Sequence, residues 1–404
     1  MRGILIEDIN HTGEGIARID GKVYFIQSAI PGDVVTIDNI IDYKNYAKAS
    51  IKKVIKQSPD RIPSPCPYYK ECGGCQLMEI NYQKQLEYKK AKVKNIFKRY
   101  ANLEIDAKIV PSQQFKYRNK ITLQVKNGIL GLFKKNTNDI VPIESCLLIS
   151  DKMNSIIKII SQNINLSNLT KIILKESQNQ LMVIFIGEAS ELEIIKNLKS
   201  KVDSLYLNSK CIFGKAKIQD NLNGYKYNIS PDSFYQVNKI QTIKLYNKVK
   251  EELLPQQKTL DLYCGTGTIG IYIASKAKSV LGIEINKSAI KDANENKILN
   301  NINNINFRCG SVSSLINTNE QYESIIVDPP RSGLDKKTKK DILKINPQQI
   351  IYVSCDPITL ARDVKELSQK YKIINITLFD LFPNSYHVES CCYLLRKEEK
   401  EECN

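Results

Sequence analysis

The residues best suited to chemistry lie in the second half of a 404-residue chain. Cys355 stands in IIYVSCDPITLARD, just past an apolar run that reads as a strand and just before a run that reads as a helix. A thiol there faces the open edge of a sheet. The N-terminus of the following helix is expected to lower its pKa, which makes it a candidate nucleophile. A lone cysteine is otherwise a small core residue. Glu389, in SYHVESCCYL, is a candidate proton acceptor, with His387 as the alternative. Two residues apart on a strand, they would share a face. Cys391 and Cys392 read as core. Upstream, LDLYCGTGTIGIYIAS reads as strand, turn and helix, and Gly265, Gly267 and Gly270 satisfy G-x-G-x-x-G. Such glycines let a nucleotide-like ligand approach the backbone at a helix N-terminus. Glu284 ends the next strand, where an acid can bind both hydroxyls of a ribose. These features suit several cofactors, nicotinamide and flavin included. Asp328-Pro329-Pro330-Arg331 ends a further strand, as a rigid turn without proline N–H donors.

A second group of thiols has metal-ligand spacing. Cys66, Cys72 and Cys75 are separated by five and two residues, and Cys146 is a plausible fourth ligand. The chain has only two histidines, His11 and His387, so a site here must be all-cysteine. Four thiolates suit zinc or an iron–sulfur cluster, and spacing does not choose between them. Cys211, Cys264, Cys309 and Cys403 suggest no role.

The elements that must position these residues divide the chain in three. Residues 1–58 read as five short strands with turns at Gly13, Gly15, Gly21 and Pro31-Gly32, which suits a small OB-type β-barrel. A proline-rich joint, SPDRIPSPCP, follows. Residues 59–235 mix hairpin patterns (ITLQVKNGILGLF, TKIILKESQNQLMVIFIGE) with amphipathic segments near 149–162 and 189–200, an α+β domain. From 236 to 404, strands and helices alternate. That predicts an α/β domain with a doubly wound, Rossmann-like and mostly parallel sheet, with ligands beyond the carboxyl ends of its strands.

The net charge of +16 favours a polyanionic partner. The densest basic run, Gln83 to Arg99, has seven basic residues and one acid. It reads either as a solvated helix face or as a phosphate-contacting surface. No apolar stretch is long enough to cross a membrane, and the N-terminus lacks the pattern of a signal peptide, so a cytoplasmic protein is expected. No obligate protein partner is implied, and a monomer is expected.

In this order, LDLYCGTGTIG, DPPRSGL, YVSCDPITLARD and HVESCCYL resemble the RNA uracil-C5 methyltransferase family, which makes 5-methyluridine in ribosomal and transfer RNA. GEGIARIDGKVYFIQSAIPGDVV resembles a TRAM domain, a barrel appended to RNA-modifying enzymes. The likeness spans essentially the whole chain. It implies S-adenosylmethionine as methyl donor, contacted by Gln236, Tyr263, Gly265, Gly267, Glu284 and Asp328. Cys355 would then be the nucleophile, Glu389 the proton acceptor and Arg331 a contact to the target nucleotide. It also favours a [4Fe–4S] cluster over zinc on Cys66, Cys72, Cys75 and Cys146. The barrel and the cysteines together resemble the 23S ribosomal RNA branch, and a transfer RNA target is the alternative. A target uridine must be splayed out of its stack, so contacts elsewhere are expected from the barrel, the basic run, Phe115, Tyr117, Arg118 and Lys120. Two other readings compete: an inactive RNA-binding or assembly protein, and an iron–sulfur oxidoreductase.

Overall fold

The computed structural model describes residues 3–398, so Cys403 lies outside the described residues. The chain forms two compact units. One takes the chain up to Val93, with Gly131–Ile143 and Phe382–His387. The other takes Lys94–Leu130, Glu144–Leu381 and the chain from Val388 onward. These units run across the boundaries expected at 58 and 235. Among the described residues, no helix is long and apolar enough to cross a membrane.

The first unit begins with a six-stranded sheet in the order Ile4–Leu5, Val34–Asp42, Tyr46–Lys56, Lys22–Gln27, Gly15–Ile19, Asp8–Ile9. Its two outermost strands are consecutive halves of one short segment. The sheet therefore curls back toward itself at Ile6, which packs with Ala17, Ile26, Ala29, Val35 and Ala49. The proline-rich joint is locked rather than loose. Arg61 donates to both carboxylate oxygens of buried Asp33 (3.1 and 2.5 Å), to Glu79 (2.5 Å) and to the Ser28 carbonyl (2.9 Å). Fork-shaped donation to a buried carboxylate fixes geometry as well as charge.

The basic run forms the helix Tyr82–Ile96. Gln85, Leu86, Lys89, Val93 and Ile96 are buried along it, at helical spacing. Two of its lysines are structural. Lys89 Nζ donates to the Phe382 carbonyl and Lys92 Nζ to that of Tyr386, both at 3.0 Å. The expected phosphate-contacting face is reduced by those two charges.

In the second unit, Lys120–Lys126, Leu169–Ser177, Gln180–Gly187, Ser204–Leu207 and Lys210–Gly214 lie side by side. Gln178 and Asn179, both at positive φ, make the two-residue turn whose twist suits an antiparallel hairpin. Helices Asp151–Asn163 and Glu191–Leu198 are N-capped by Ser150 and Ser190.

The large sheet of this unit runs Ile305–Cys309, Ser279–Glu284, Lys258–Leu262, Ser324–Val327, Gln349–Ser354, Glu389–Arg396, Tyr371–Phe379, Ala107–Val110. The first five strands are parallel, and Glu389–Arg396 runs antiparallel to both neighbours. Ala107–Val110, from well before the expected domain, adds a parallel edge strand. Chain order reverses between Lys258–Leu262 and Ser324–Val327. Their carboxyl ends therefore border the crevice that such a switch point opens.

Candidate active site

The glycine turn is built by strand Lys258–Leu262 and helix Thr268–Ile273. Tyr263, Gly265 and Gly267 all have positive φ (63°, 53° and 75°), which folds the chain back over the strand end. A Cβ on Gly267 would lie 2.5 Å from the Phe307 ring, whereas one on Gly265 would meet nothing within 4 Å. Gly267 is thus required by packing, and Gly265 faces open space. Glu284 joins the turn by accepting from the N–H groups of Gly265 (3.2 Å) and Asn286 (2.9 Å).

Asp261, unremarked in the sequence, is fully buried beneath the turn and accepts from the Gly270 N–H at 2.9 Å. Its other oxygen has no partner. Burial, then the nearby Asp328 charge, push its pKa up to about 8. The available signal was an acid in the middle of an apolar strand. Asp328 follows strand Ser324–Val327, and burial pushes its carboxyl up to about 7. Its turn is held from below by buried Asp363, which accepts from the Leu334 N–H and the Tyr352 hydroxyl, each at 2.8 Å. Arg362 bonds both Asp363 (2.9 Å) and the Ser332 carbonyl (2.9 Å).

Cys355 follows strand Gln349–Ser354 and precedes helix Pro357–Leu367. Asp356 caps that helix by accepting from Ile358 and Thr359, both at 2.9 Å. The thiol departs from the sequence expectation. Its pKa is pushed up to about 11, first by burial, then by the charges of Glu389 and Asp328, with only Arg331 opposing. Burial and these carboxyls, with the cap Asp356 adding to them, set the direction. Glu389 opens strand Glu389–Arg396 and is 3% exposed. Burial and then Asp328 raise its pKa well above the carboxylate range, again opposed by Arg331. His387 precedes that strand rather than sharing it, so the same-face argument does not apply. Its ring packs on Tyr386 and Phe382, with centroids 4.2 and 5.8 Å away. Cys391 and Cys392 are core.

Comparison with known proteins identifies the family. The family described as tRNA (Uracil-5-)-methyltransferase matches residues 175–318 and 313–397, and the TRAM domain matches residues 2–52. An RNA methyltransferase of Staphylococcus epidermidis is 33% identical, over 97% of both chains. Another from Clostridium tetani is 33% identical, over 96% of this chain and 94% of its own. The chain belongs to the RNA uracil-C5 methyltransferase family. Among solved structures, the Pyrococcus abyssi tRNA (uracil-54, C5)-methyltransferase, in complex with S-adenosyl-L-homocysteine, is similar with TM-score 0.81 and 28% identity. That match covers 98% of this chain and all of the other.

The methyltransferase does not gather its expected metal ligands into an evident site. Cys66, Cys72 and Cys75 belong to the first unit and Cys146 to the second. Among the described residues, no group of three or more His, Cys, Asp or Glu side chains is placed to hold a metal ion. Cys72 Sγ accepts from the Gly74 N–H at 3.4 Å. Nor are all the expected RNA contacts available. Tyr117 is buried and offers no stacking face, while Phe115 is half-buried. Burial and Lys171 lower the pKa of Lys120. Gln236 is fixed through its backbone, its carbonyl accepting from Asn119 Nδ2 at 2.9 Å.

Proposed function

We propose that this enzyme methylates carbon 5 of a uridine in RNA, with S-adenosylmethionine as donor, Cys355 as covalent nucleophile and Glu389 as proton acceptor. The observation that carries the proposal is the meeting of Cys355, Glu389 and Asp328 at the strand ends beside the glycine turn. Gln236, Tyr263, Gly265, Gly267, Glu284 and Asp328 would hold the donor. The carboxylate of Glu284, the open side of Gly265 and the backbone turn suit a nucleoside. When bound, the donor supplies an electrophilic methyl on a sulfonium.

The protein must make carbon 5 nucleophilic. The Cys355 thiolate adds to carbon 6, and the electrons of the ring double bond move to the carbon-4 carbonyl as an enolate. Carbon 5 then takes the methyl group. Glu389 accepts the proton from carbon 5, the double bond re-forms, and the Cys355 thiolate leaves. Arg331 is exposed beside both groups, where its charge favours the ionised forms the reaction needs. The test is trapping with RNA that carries 5-fluorouridine. Fluorine cannot leave as a proton, so a covalent complex through Cys355 accumulates. Normal methylation by a Cys355→Ala enzyme would sink the mechanism.

The RNA we assign is 23S ribosomal RNA, supported by the TRAM match and the cysteine pattern together. A transfer RNA target is the second reading, favoured by the structural likeness to a tRNA enzyme. Mapping 5-methyluridine in RNA from cells lacking the gene decides between them. Within the first unit, a cavity of about 640 Å³ is lined by Lys52, Lys53, Arg61 and Lys70 around Tyr69. That chemistry supports RNA binding by this unit. Lys52→Glu with Lys53→Glu tests it without removing Asp33, on which Arg61 depends. Unchanged RNA affinity and salt dependence would exclude the cavity. The four cysteines would hold a [4Fe–4S] cluster, or zinc as the alternative. Their donor chemistry supports this, and iron, sulfide and zinc analysis of protein purified without oxygen tests it.

A further inference from the structure

Lys175 is a lysine where apolar packing would be expected. It lies in strand Leu169–Ser177, is 5% exposed, and sits opposite Lys120 on the neighbouring strand. A buried ammonium beside another cation is costly unless strong acceptors surround it. Here all the acceptors come from one loop. Lys175 Nζ donates to the carbonyls of Ser230, Pro231 and Ser233 at 3.0, 2.7 and 3.0 Å.

That loop leads directly to Gln236. Ser233 Oγ also accepts from the Ser230 N–H at 3.0 Å, and Ser230 Oγ donates to buried Asp292 at 2.8 Å. The far end is held by Asn119, next to Lys120. Its side chain donates to the Gln236 carbonyl and its N–H to that of Val237, both at 2.9 Å. One end of the sheet therefore grips the segment from residue 230 to 237 at two points, and one of those grips is a single ammonium. Three carbonyls aimed at one point from the same loop cannot all be satisfied by a neutral side chain.

We infer that Lys175 is a positioning residue for methyl-donor binding, acting by holding the loop that presents Gln236. This rests on the reading of Gln236 as a donor contact. The charged groups facing Lys175 are Lys120, Asp232 and Asp292. Burial, then Lys120, bring its pKa down to about 8, against the pull of the two aspartates. Because the gripped ammonium gives up its proton more readily than a solvated one, opening the loop takes up a proton. Loop order, and with it donor affinity, therefore rises as pH climbs through about 8.

The test uses the full chain. In Lys175→Met, affinity for S-adenosylhomocysteine falls about tenfold, in line with one lost charge-assisted hydrogen bond. KM for S-adenosylmethionine rises while kcat at saturating donor is nearly unchanged, and amide exchange over 230–237 speeds up. Lys175→Arg, which keeps charge and donors, recovers part of the affinity. The wild-type protein gains affinity across about pH 8, and Lys175→Met is flat there. Wild-type affinity in Lys175→Met, or the same pH profile in both proteins, overturns the inference. Gln236→Ala checks the underlying reading. If it binds the donor normally, that reading fails, and unchanged exchange over 230–237 in Lys175→Met then overturns the grip itself. Should Lys175→Met fail to fold, a wild-type affinity flat across about pH 8 overturns the inference.

Discussion

Cys355 and Glu389 both lie just beyond the last register pair between two antiparallel strands. Ser354 pairs with Ser390, and the next residues outward on the two strands are Cys355 and Glu389. Backbone pairing brings them to one strand end, and their charges interact there. A proton acceptor and a thiol so placed can work on adjacent ring carbons of one substrate. The Glu389 carboxylate also opposes ionisation of the thiol, because two negative charges in a buried site repel. Glu389→Gln separates the two effects. It should still form the adduct with 5-fluorouridine RNA, but with ordinary uridine RNA it should stall after methyl transfer. With one carboxyl gone, the Cys355 thiol should titrate closer to the ordinary value of 9.0, as read by iodoacetamide alkylation against pH. An unchanged alkylation profile would show that the carboxyl does not act on the thiol.

The free enzyme should be slow at neutral pH and speed up with alkali. The thiol is pushed up to about 11, so the thiolate fraction rises about tenfold per pH unit below that value. Glu389 and Asp328 are raised as well, so all three groups become ionised as pH rises. The expected kcat/KM for RNA climbs through the neutral range without an acidic optimum. A bell centred below pH 7 would contradict this assignment.

Much of this site was legible because the chemistry sits at punctuation. The glycines, the Asp328 turn and Cys355 each fall where an apolar run stops, and a doubly wound sheet aligns such stops along one edge. What was not legible depended on charge summed over distant segments. Cys355 read as activated by its helix, but burial, and then Glu389 and Asp328 from two other strands, push its pKa up. Asp261 and Lys175 were hidden for a related reason: one buried polar residue in an apolar strand has no periodic signature. Lys89 and Lys92 read as surface charge because their acceptors lie nearly three hundred residues away in sequence. Ala107–Val110 could not be assigned to the large sheet from its own pattern, since edge pairing depends on Tyr371–Phe379.

The two glycines of the turn should fail differently when substituted. Gly267→Ala must accept φ 75° and place a Cβ 2.5 Å from Phe307. Strain and overpacking together should cost about 2–4 kcal/mol, read by denaturant unfolding. Gly265→Ala has φ 53° but open space, so it should cost about 1 kcal/mol. Its methyl group points to the open side, so donor affinity should fall by more than the stability loss explains. Equal stability losses for the two variants would refute the distinction.

Asp363 supplies the sharpest stability test. It is fully buried and ties the Asp328 turn to helix Pro357–Leu367 through Leu334, Tyr352 and Arg362. Lys339 adds an ion pair at 3.3 Å, and its ammonium is itself 4% exposed on the side chain. Lys339 keeps Glu366 at 2.5 Å, but the Leu334 N–H and the Tyr352 hydroxyl lose their acceptor, so Asp363→Ala should destabilise by about 2–4 kcal/mol. Asp363→Asn keeps the shape but loses the charge and turns an acceptor oxygen into a donor facing the Leu334 N–H or Arg362. It should lose somewhat less stability, yet still loosen the turn. Its signature is a raised KM for both RNA and donor, since Arg331 and Asp328 both lie on this turn. If neither KM changes in Asp363→Asn, Asp363 does not hold the turn.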